Sequence, residues 1–205
     1  MPKRITVCFC SLAMLGILSP AALWAFSADD LLGSWPKQEI KILEMGEREL
    51  LFRKGSTPEW GIGVAARFEA PCTEREAWSL ITDFENLPNW APWILAARVL
   101  EDNGDAKVIE LDADARVLVF RKTRTLVVDV RLVDGQQLEV RPHDILLGEF
   151  VGGVFLRPSE HGCEVEVGAH LNPAIPLSTW IVTWVAHRSL LITIDRFLEQ
   201  IKGDS

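Results

Sequence analysis

Between Gly61 and Glu69 the apolar side chains fall on every second position: Ile62, Val64, Ala66 and Phe68. That is the period of a strand with one buried face. Ala70-Pro71-Cys72-Thr73 ends the alternation, and Thr73 stands three residues before Glu76 at the head of the run Ala77, Trp78, Leu80 and Ile81. This capping-box spacing predicts a helix of about ten residues, reaching Asp83. The next stretch, Phe84 to Trp93, holds Pro88, Pro92, Asn86 and Asn89. Only a short second helix or a tight turn is expected there.

Extended segments separated by turn signals follow, at 94–100, 107–119, 125–133, 137–141, 147–157 and 163–171. Asp102-Asn103-Gly104, Asp134-Gly135 and Glu160-His161-Gly162 mark hairpins between them. In the last segment Cys163, Val165, Val167, Ala169 and Leu171 share one face, and Glu164, Glu166 and His170 the other. Asn172-Pro173-Ala174-Ile175-Pro176 stops the sheet, and 177–201 then runs without Pro or Gly, long enough for a seven-turn helix. Trp180, Trp184, His187, Leu191, Ile194, Leu198 and Ile201 recur along it at steps of four and three, as one stripe. Upstream, 39–44 and 47–53 flank Met45-Gly46 as a candidate hairpin, and 54–58 reads as a loop. The order is strand, one or two short helices, about six antiparallel strands and a long helix. A curved antiparallel sheet with one face gripped by that helix, and a cavity between them, is the expected α+β shape.

The first 25 residues read as an address rather than structure. Lys3 and Arg4 precede an apolar run from Ile5 to about Leu18, Pro20 breaks it, and Leu23-Trp24-Ala25 offers a cleavage site. This is the order of a secretory signal, and the run is shorter than the ~20 residues of a membrane span. Cleavage after Ala25 and export to a bacterial periplasm are expected, with a retained membrane anchor as the alternative. Cys8 and Cys10 lie in the apolar run without a lipoprotein pattern. The domains expected are a signal at 1–25, an extension at 26–60 and a folded domain at 61–202.

Composition narrows the function. At 205 residues, 48% hydrophobic and 24% charged, the chain is neither disordered nor fibrous. A net charge of −8 lacks the broad basic footprint of a nucleic-acid binder. Eight Trp and nine Phe with no Tyr suit a large apolar core or cavity without choosing between them. The mature chain has no H-E-x-x-H, C-x-x-C, P-loop or G-x-S-x-G motif, so no metal, no cofactor and no catalytic residue are expected.

Several local patterns, in order, resemble a known superfamily. Glu69 to Trp78 resembles its strand-to-helix junction, and Leu80-Ile81-Thr82-Asp83-Phe84 and Leu87 to Trp93 resemble its "vltD" and "p-x-W-x-P" pieces. Gly148-Glu149-Phe150, Phe155 to Pro158, Gly162-Cys163 and Asn172 to Pro176 resemble later ones. From about Gly61 to Ile201 the chain resembles the START-like (SRPBCC) superfamily with its helix-grip fold. Within it, the chain is most similar to the coenzyme Q-binding START-domain and polyketide cyclase/dehydrase/lipid-transport families. The resemblance implies a curved antiparallel sheet of about seven strands around a long C-terminal helix, with two short helices after the first strand. It also implies a cavity for lipids, quinones, sterols or polyketides. It does not imply catalysis, because carriers, enzymes and regulators share the scaffold. Phe155 stands where Trp is common, and Cys163 where Thr is common.

On this basis the expected ligand-binding residues are Trp90, Trp93, Arg121, Phe150, Phe155, Trp180, Trp184, His187 and Leu191. Most of them have a plainer reading. The helix tryptophans and Leu191 fill the core, and His187 is a satisfied structural group rather than a partner for a ligand carbonyl. Trp90 and Trp93 plug the end of the core rather than guard a mouth. Arg116, Arg121, Arg124, Arg131 and Arg141 belong to a solvated outer face, paired with Asp114, Asp129 and Glu139, although Arg121 is in phase with Val117 and Val119 and suits an anionic headgroup. In a helix-grip sheet the first and last strands pair, so a Cys72–Cys163 disulfide is expected, against two independent buried thiols. The leading expectation is an exported, monomeric carrier of a hydrophobic small molecule or lipid, making transient membrane contact and no nucleic-acid contact. Its alternatives are a cyclase/aromatase-like enzyme, for which only His187 offers an acid or base, and an interaction module with a filled core.

Overall fold

Each hairpin lays its second strand beside its first, and the sheet grows in chain order until its last strand returns to an early one. The computed structural model describes residues 40–45, 48–57, 61–117, 120–143, 149–172 and 179–203, with side chains for 65–114, 123–143, 150–170 and 188–203. The expected signal at 1–25 lies outside the described residues. β1 (Ile40–Met45) and β2 (Arg48–Thr57) form the antiparallel hairpin about Met45-Gly46. β2 continues onto β3 (Gly61–Ala70). The loop expected at 54–58 is corrected by this pairing. Lys54, Gly55, Ser56 and Thr57 are the last residues of β2, opposite Val64, Gly63, Ile62 and Gly61. Lys54, Gly55 and Ser56 carry no strand signal, but the ladder to β3 pairs this segment residue by residue.

Thr73 caps α1 (Glu74–Thr82) as its spacing predicts. The Thr73 amide donates to Glu76 Oε2 at 2.7 Å, and the Glu76 amide donates to Thr73 Oγ1 at 3.3 Å. A 3-10 turn (Phe84–Asn86) and the one-turn α2 (Leu87–Trp90) follow. Six strands come next: β4 (Ile94–Asp102), β5 (Ala106–Val117), β6 (Phe120–Val133), β7 (Gln137–Pro142), β8 (Glu149–Ser159) and β9 (Gly162–Asn172). The chain ends in α3 (Thr179–Gly203). β6 begins five residues before the alternation that signalled it, because Phe120 pairs with Val117 across the hairpin. The sheet order is β1-β2-β3-β9-β8-β7-β6-β5-β4. Seven of these strands, β3 to β9, are the helix-grip sheet, and the β1–β2 hairpin widens it.

Inward-facing residues of the sheet meet α1, α2 and α3. Ala66, Phe68, Ile109, Val128, Leu156 and Val165 pack with Ile81, Phe84, Ile194, Phe197, Leu198 and Ile201 into one buried cluster. Phe68 and Phe197 meet edge to face at 6.1 Å, the arrangement their ring quadrupoles favour. β4 carries two register shifts, at Ile94/Ala96 and Val99/Glu101, and bulges of this kind bend a strand and raise its twist.

The outer face is less solvated than expected. Glu139 and Glu166 are each 1% exposed and His170 5%. Arg67 pairs with Glu166 at 2.9 Å, and Gln137 Nε2 donates to Glu139 Oε1 at 2.7 Å. The register sets Arg131 opposite Glu139 and Arg141 opposite Asp129, as anticipated, but Asp114 opposite Thr123. Burial outweighs the help of Arg67 and Arg157 and pushes the Glu166 carboxyl above the ordinary carboxylate range.

Candidate functional site

An apolar space lies between the concave face of the sheet and the short helices with α3. It is a cavity of about 340 Å³, within the range of small-molecule sites. Period-two alternation supplies its sheet wall. Ile109 and Leu111 of β5, Val128 and Val130 of β6, Leu138 and Val140 of β7, and Val154 of β8 all turn inward. Gly152 of β8 leaves an inward position without a side chain, and Gly153 and Gly168 meet the cavity with backbone alone. Ile81, Phe84, Leu87, Trp90, Ala91 and Trp93 form the opposite side with Ser189, Leu190 and Thr193 of α3. No ionisable side chain lines the cavity among the described residues.

Two tryptophans near its rim are held differently. Trp90, partly buried on α2, packs edge to face on Phe197 with ring centroids 5.6 Å apart. Trp93 is 42% exposed. The Asp114 amide donates to the Trp93 carbonyl at 2.8 Å, and the Trp93 indole N–H donates to Thr193 Oγ1 at 3.2 Å. The second bond ties the turn before β4 to α3 across the edge of the cavity. Trp93, Leu95 and Ile192 are large apolar side chains left exposed in these neighbouring segments.

Of the expected ligand-binding residues, Trp90, Trp93 and Phe150 line the cavity. Phe155 is buried but is placed elsewhere. It stands opposite Gln137 and Glu166 on the outer face, while its neighbours Val154 and Leu156 turn inward. The physical reason is parity: 150 and 155 differ by an odd number, so one strand cannot send both to the same face. Leu191 packs against the core cluster rather than among the lining residues, and its neighbour Leu190 reaches the cavity. The side chains of Arg121, Trp180, Trp184 and His187 lie outside the described residues. The expected Cys72–Cys163 bridge is corrected: both residues are free thiols. Cys163 opposes Ala70 and turns into the core, whereas the chain bends at Pro71 and sets the peptide of Cys72 against Gly162. Burial, with the neighbouring Cys72 and Glu74, pushes the Cys163 thiol up to about 11.

Sequence reasoning missed Ser189, Leu190 and Thr193, and it missed the inward residues of β5 to β7. A signal existed for both sets. The pairs 109/111, 128/130 and 138/140 are apolar at period two, and 190, 193 and 197 form a helical face beside the chosen stripe.

A sequence profile described as polyketide cyclase/dehydrase and lipid transport matches residues 71–198. Curated protein sequences give no match. Several solved structures share the fold. A START superfamily protein from Mycobacterium smegmatis is 15% identical, with a TM-score of 0.61, covering 70% of this chain and 99% of its own. A STAR-related lipid transfer protein from Xanthomonas axonopodis is 12% identical, with a TM-score of 0.60 and coverage of 80% and 98%. The Zhui aromatase/cyclase from Streptomyces sp. R1128 is 12% identical, with a TM-score of 0.60 and coverage of 68% and 93%.

Proposed function

Because the chain belongs to the polyketide cyclase/dehydrase and lipid transport family, we propose that it is an exported carrier that shields a hydrophobic molecule in the cavity between its sheet and α3. The observation that carries this reading is the cavity wall, apolar on each strand that lines it and without an ionisable side chain among the described residues. Such a wall favours transfer of apolar surface out of water, at ~25 cal/mol per Å². An acid–base reaction would need a proton donor or acceptor within hydrogen-bond reach of the substrate, and the described wall offers no carboxylate, imidazole or amine. The carrier reading is therefore preferred to the cyclase. Isoprenoid quinones, sterol-like molecules and single-chain lipids are the candidate cargoes.

The exposed Trp93, Leu95 and Ile192 support a brief contact between the cavity rim and a membrane during loading. With a net charge of −8, a zwitterionic surface suits this contact better than an anionic one. Trp93→Ser is expected to slow extraction of a fluorescent lipid from phosphatidylcholine vesicles several-fold. An unchanged rate would place loading elsewhere.

The test of the main reading uses the full chain expressed in a bacterium with an outer membrane. The protein is expected in the periplasmic fraction, starting at Phe26. Organic extraction of the natively purified protein should release a near-stoichiometric apolar compound, identifiable by mass spectrometry. An empty extract from folded protein would count against a resident cargo, and cytoplasmic retention would overturn the export.

A further inference from the structure

Among the described residues, the polar groups of the cavity are few, neutral and confined to the side opposite the sheet. Among the described lining residues the polar side chains are Trp90, Trp93, Ser189 and Thr193, all on α2, the turn after it and α3. The facing wall, from β5 to β8, presents Ile, Leu, Val, Phe and Gly only. Ser189 and Thr193 stand one helical turn apart on the same face of α3. The Trp93 indole N–H is already spent on Thr193 Oγ1 at 3.2 Å. The Trp90 indole N–H is not: Nε1 is buried and has no hydrogen-bond partner. A buried donor without an acceptor is costly, and buried indole N–H groups ordinarily find one. Trp90 also lines a second, smaller apolar space of about 50 Å³ beside Phe68, Val165 and Phe197, whose walls offer no side-chain acceptor except the Thr193 hydroxyl.

We propose that the cavity selects an uncharged ligand, an apolar body bearing one carbonyl or hydroxyl oxygen, and that this oxygen is held at the α2–α3 end by the Trp90 indole N–H. The inference rests on the carrier reading and sharpens it. An apolar wall rewards the body of such a ligand by area, and the Trp90 indole N–H, the one donor of the described lining that is buried without a partner, fixes its direction. A carboxylate or phosphate entering the same space would leave water for a wall whose described residues offer no cation to meet it, and that desolvation is prohibitive. The cavity size points the same way. About 340 Å³ is roughly a dozen liquid-water volumes, enough for a compact ring system or one short chain.

The test is isothermal titration calorimetry of the lipid-stripped protein with three probes of one skeleton: 2-ethylnaphthalene, 2-acetylnaphthalene and 2-naphthoate. The ketone is expected to bind about fivefold more tightly than the hydrocarbon, the worth of one net hydrogen bond. The naphthoate should bind at least tenfold more weakly than the ketone. Trp90→Phe keeps an aromatic ring against Phe197 and removes the donor, so the preference for ketone over hydrocarbon should collapse towards one. Independently of any variant, the infrared carbonyl stretch of bound 2-acetylnaphthalene should fall to lower frequency than in hexane. Equal affinity for ketone and hydrocarbon, an unshifted carbonyl stretch, naphthoate binding as tight as the ketone, or a preference that survives in Trp90→Phe would each overturn the proposal while leaving a hydrophobic carrier standing. Failure of all three probes to bind would overturn the carrier reading and the proposal together.

Discussion

Gly162 sits where β8 turns into β9, with φ at 139°. A Cβ there would lie 2.3 Å from the Ala70 carbonyl oxygen and 3.0 Å from the Cys72 amide nitrogen. No rotamer relieves a clash with backbone, so Gly162→Ala must push the end of β3 away from β9. Thermal melting is expected to fall by about 10 °C, the scale of a 2–4 kcal/mol defect in a domain of this size. Glu166 makes the opposite kind of residue-level argument. Its carboxyl is raised by burial, so the folded state binds its proton more tightly than the unfolded chain does. The stability tied to this group is greatest below the ordinary carboxylate value and is lost as pH rises through the raised one. Glu166→Gln removes the desolvated charge and keeps an acceptor for Arg67. Its melting temperature should gain on the parent as pH is taken from 4 to 8. A mutant that instead loses ground to the parent over that range would show that the Arg67 pair, not burial, governs the site.

At the scale of elements, the β8–β9 pair brings small residues to the cavity wall, where Gly152 opposes Ala169 and Gly153 opposes Gly168. A Cβ on Gly152 would meet the ring tip of Phe150 at 3.1 and 3.3 Å. The ring can rotate, so Gly152→Val is expected to fold, with its methyls and the displaced Phe150 filling the cavity. Affinity for a bound apolar probe should drop at least tenfold, with melting shifted by only a few degrees. Retained affinity in calorimetry would move the binding site away from β8. Element types and order were mostly legible beforehand. Thr73 and Glu76 announced α1, Asp134-Gly135 announced the β6–β7 hairpin with φ of 51° and 69°, and the Pro- and Asn-rich stretch after Phe84 limited α2 to one turn. The end of β2 was not legible, because Lys54 to Thr57 are strand only by virtue of the neighbour they pair with.

At the scale of the whole molecule, the described strands form one sheet, and the first hairpin is part of it. β2 pairs with β3 from Leu51↔Arg67 to Thr57↔Gly61, so residues 40–57 cover the edge that β3 would otherwise expose. Deleting residues 1–60 is expected to lower the melting temperature and to promote self-association in gel filtration, since an uncovered edge pairs with other chains. A truncated protein that stays monomeric and equally stable would make the hairpin an ornament of the fold.

The alternation of apolar residues, the cap at Thr73, the glycine turns and the uninterrupted final helix are local properties, written in spacing. They settle the kinds of elements, their order and the α+β class, because each depends on a few neighbouring residues. Two of the three described cavity positions chosen beforehand, Trp90 and Trp93, were also local, since they sit at the end of α2 and in the turn after it. What side of the sheet is dry, whether two cysteines join, and which helical face meets the cavity depend on contacts between residues up to about a hundred positions apart, such as Arg67 with Glu166 and Trp93 with Thr193. Glu166 and His170 lie on the polar face of β9 by pattern, yet they are buried in the fold. Pattern assigns a residue to a face, and only the packing of distant segments decides whether that face meets water.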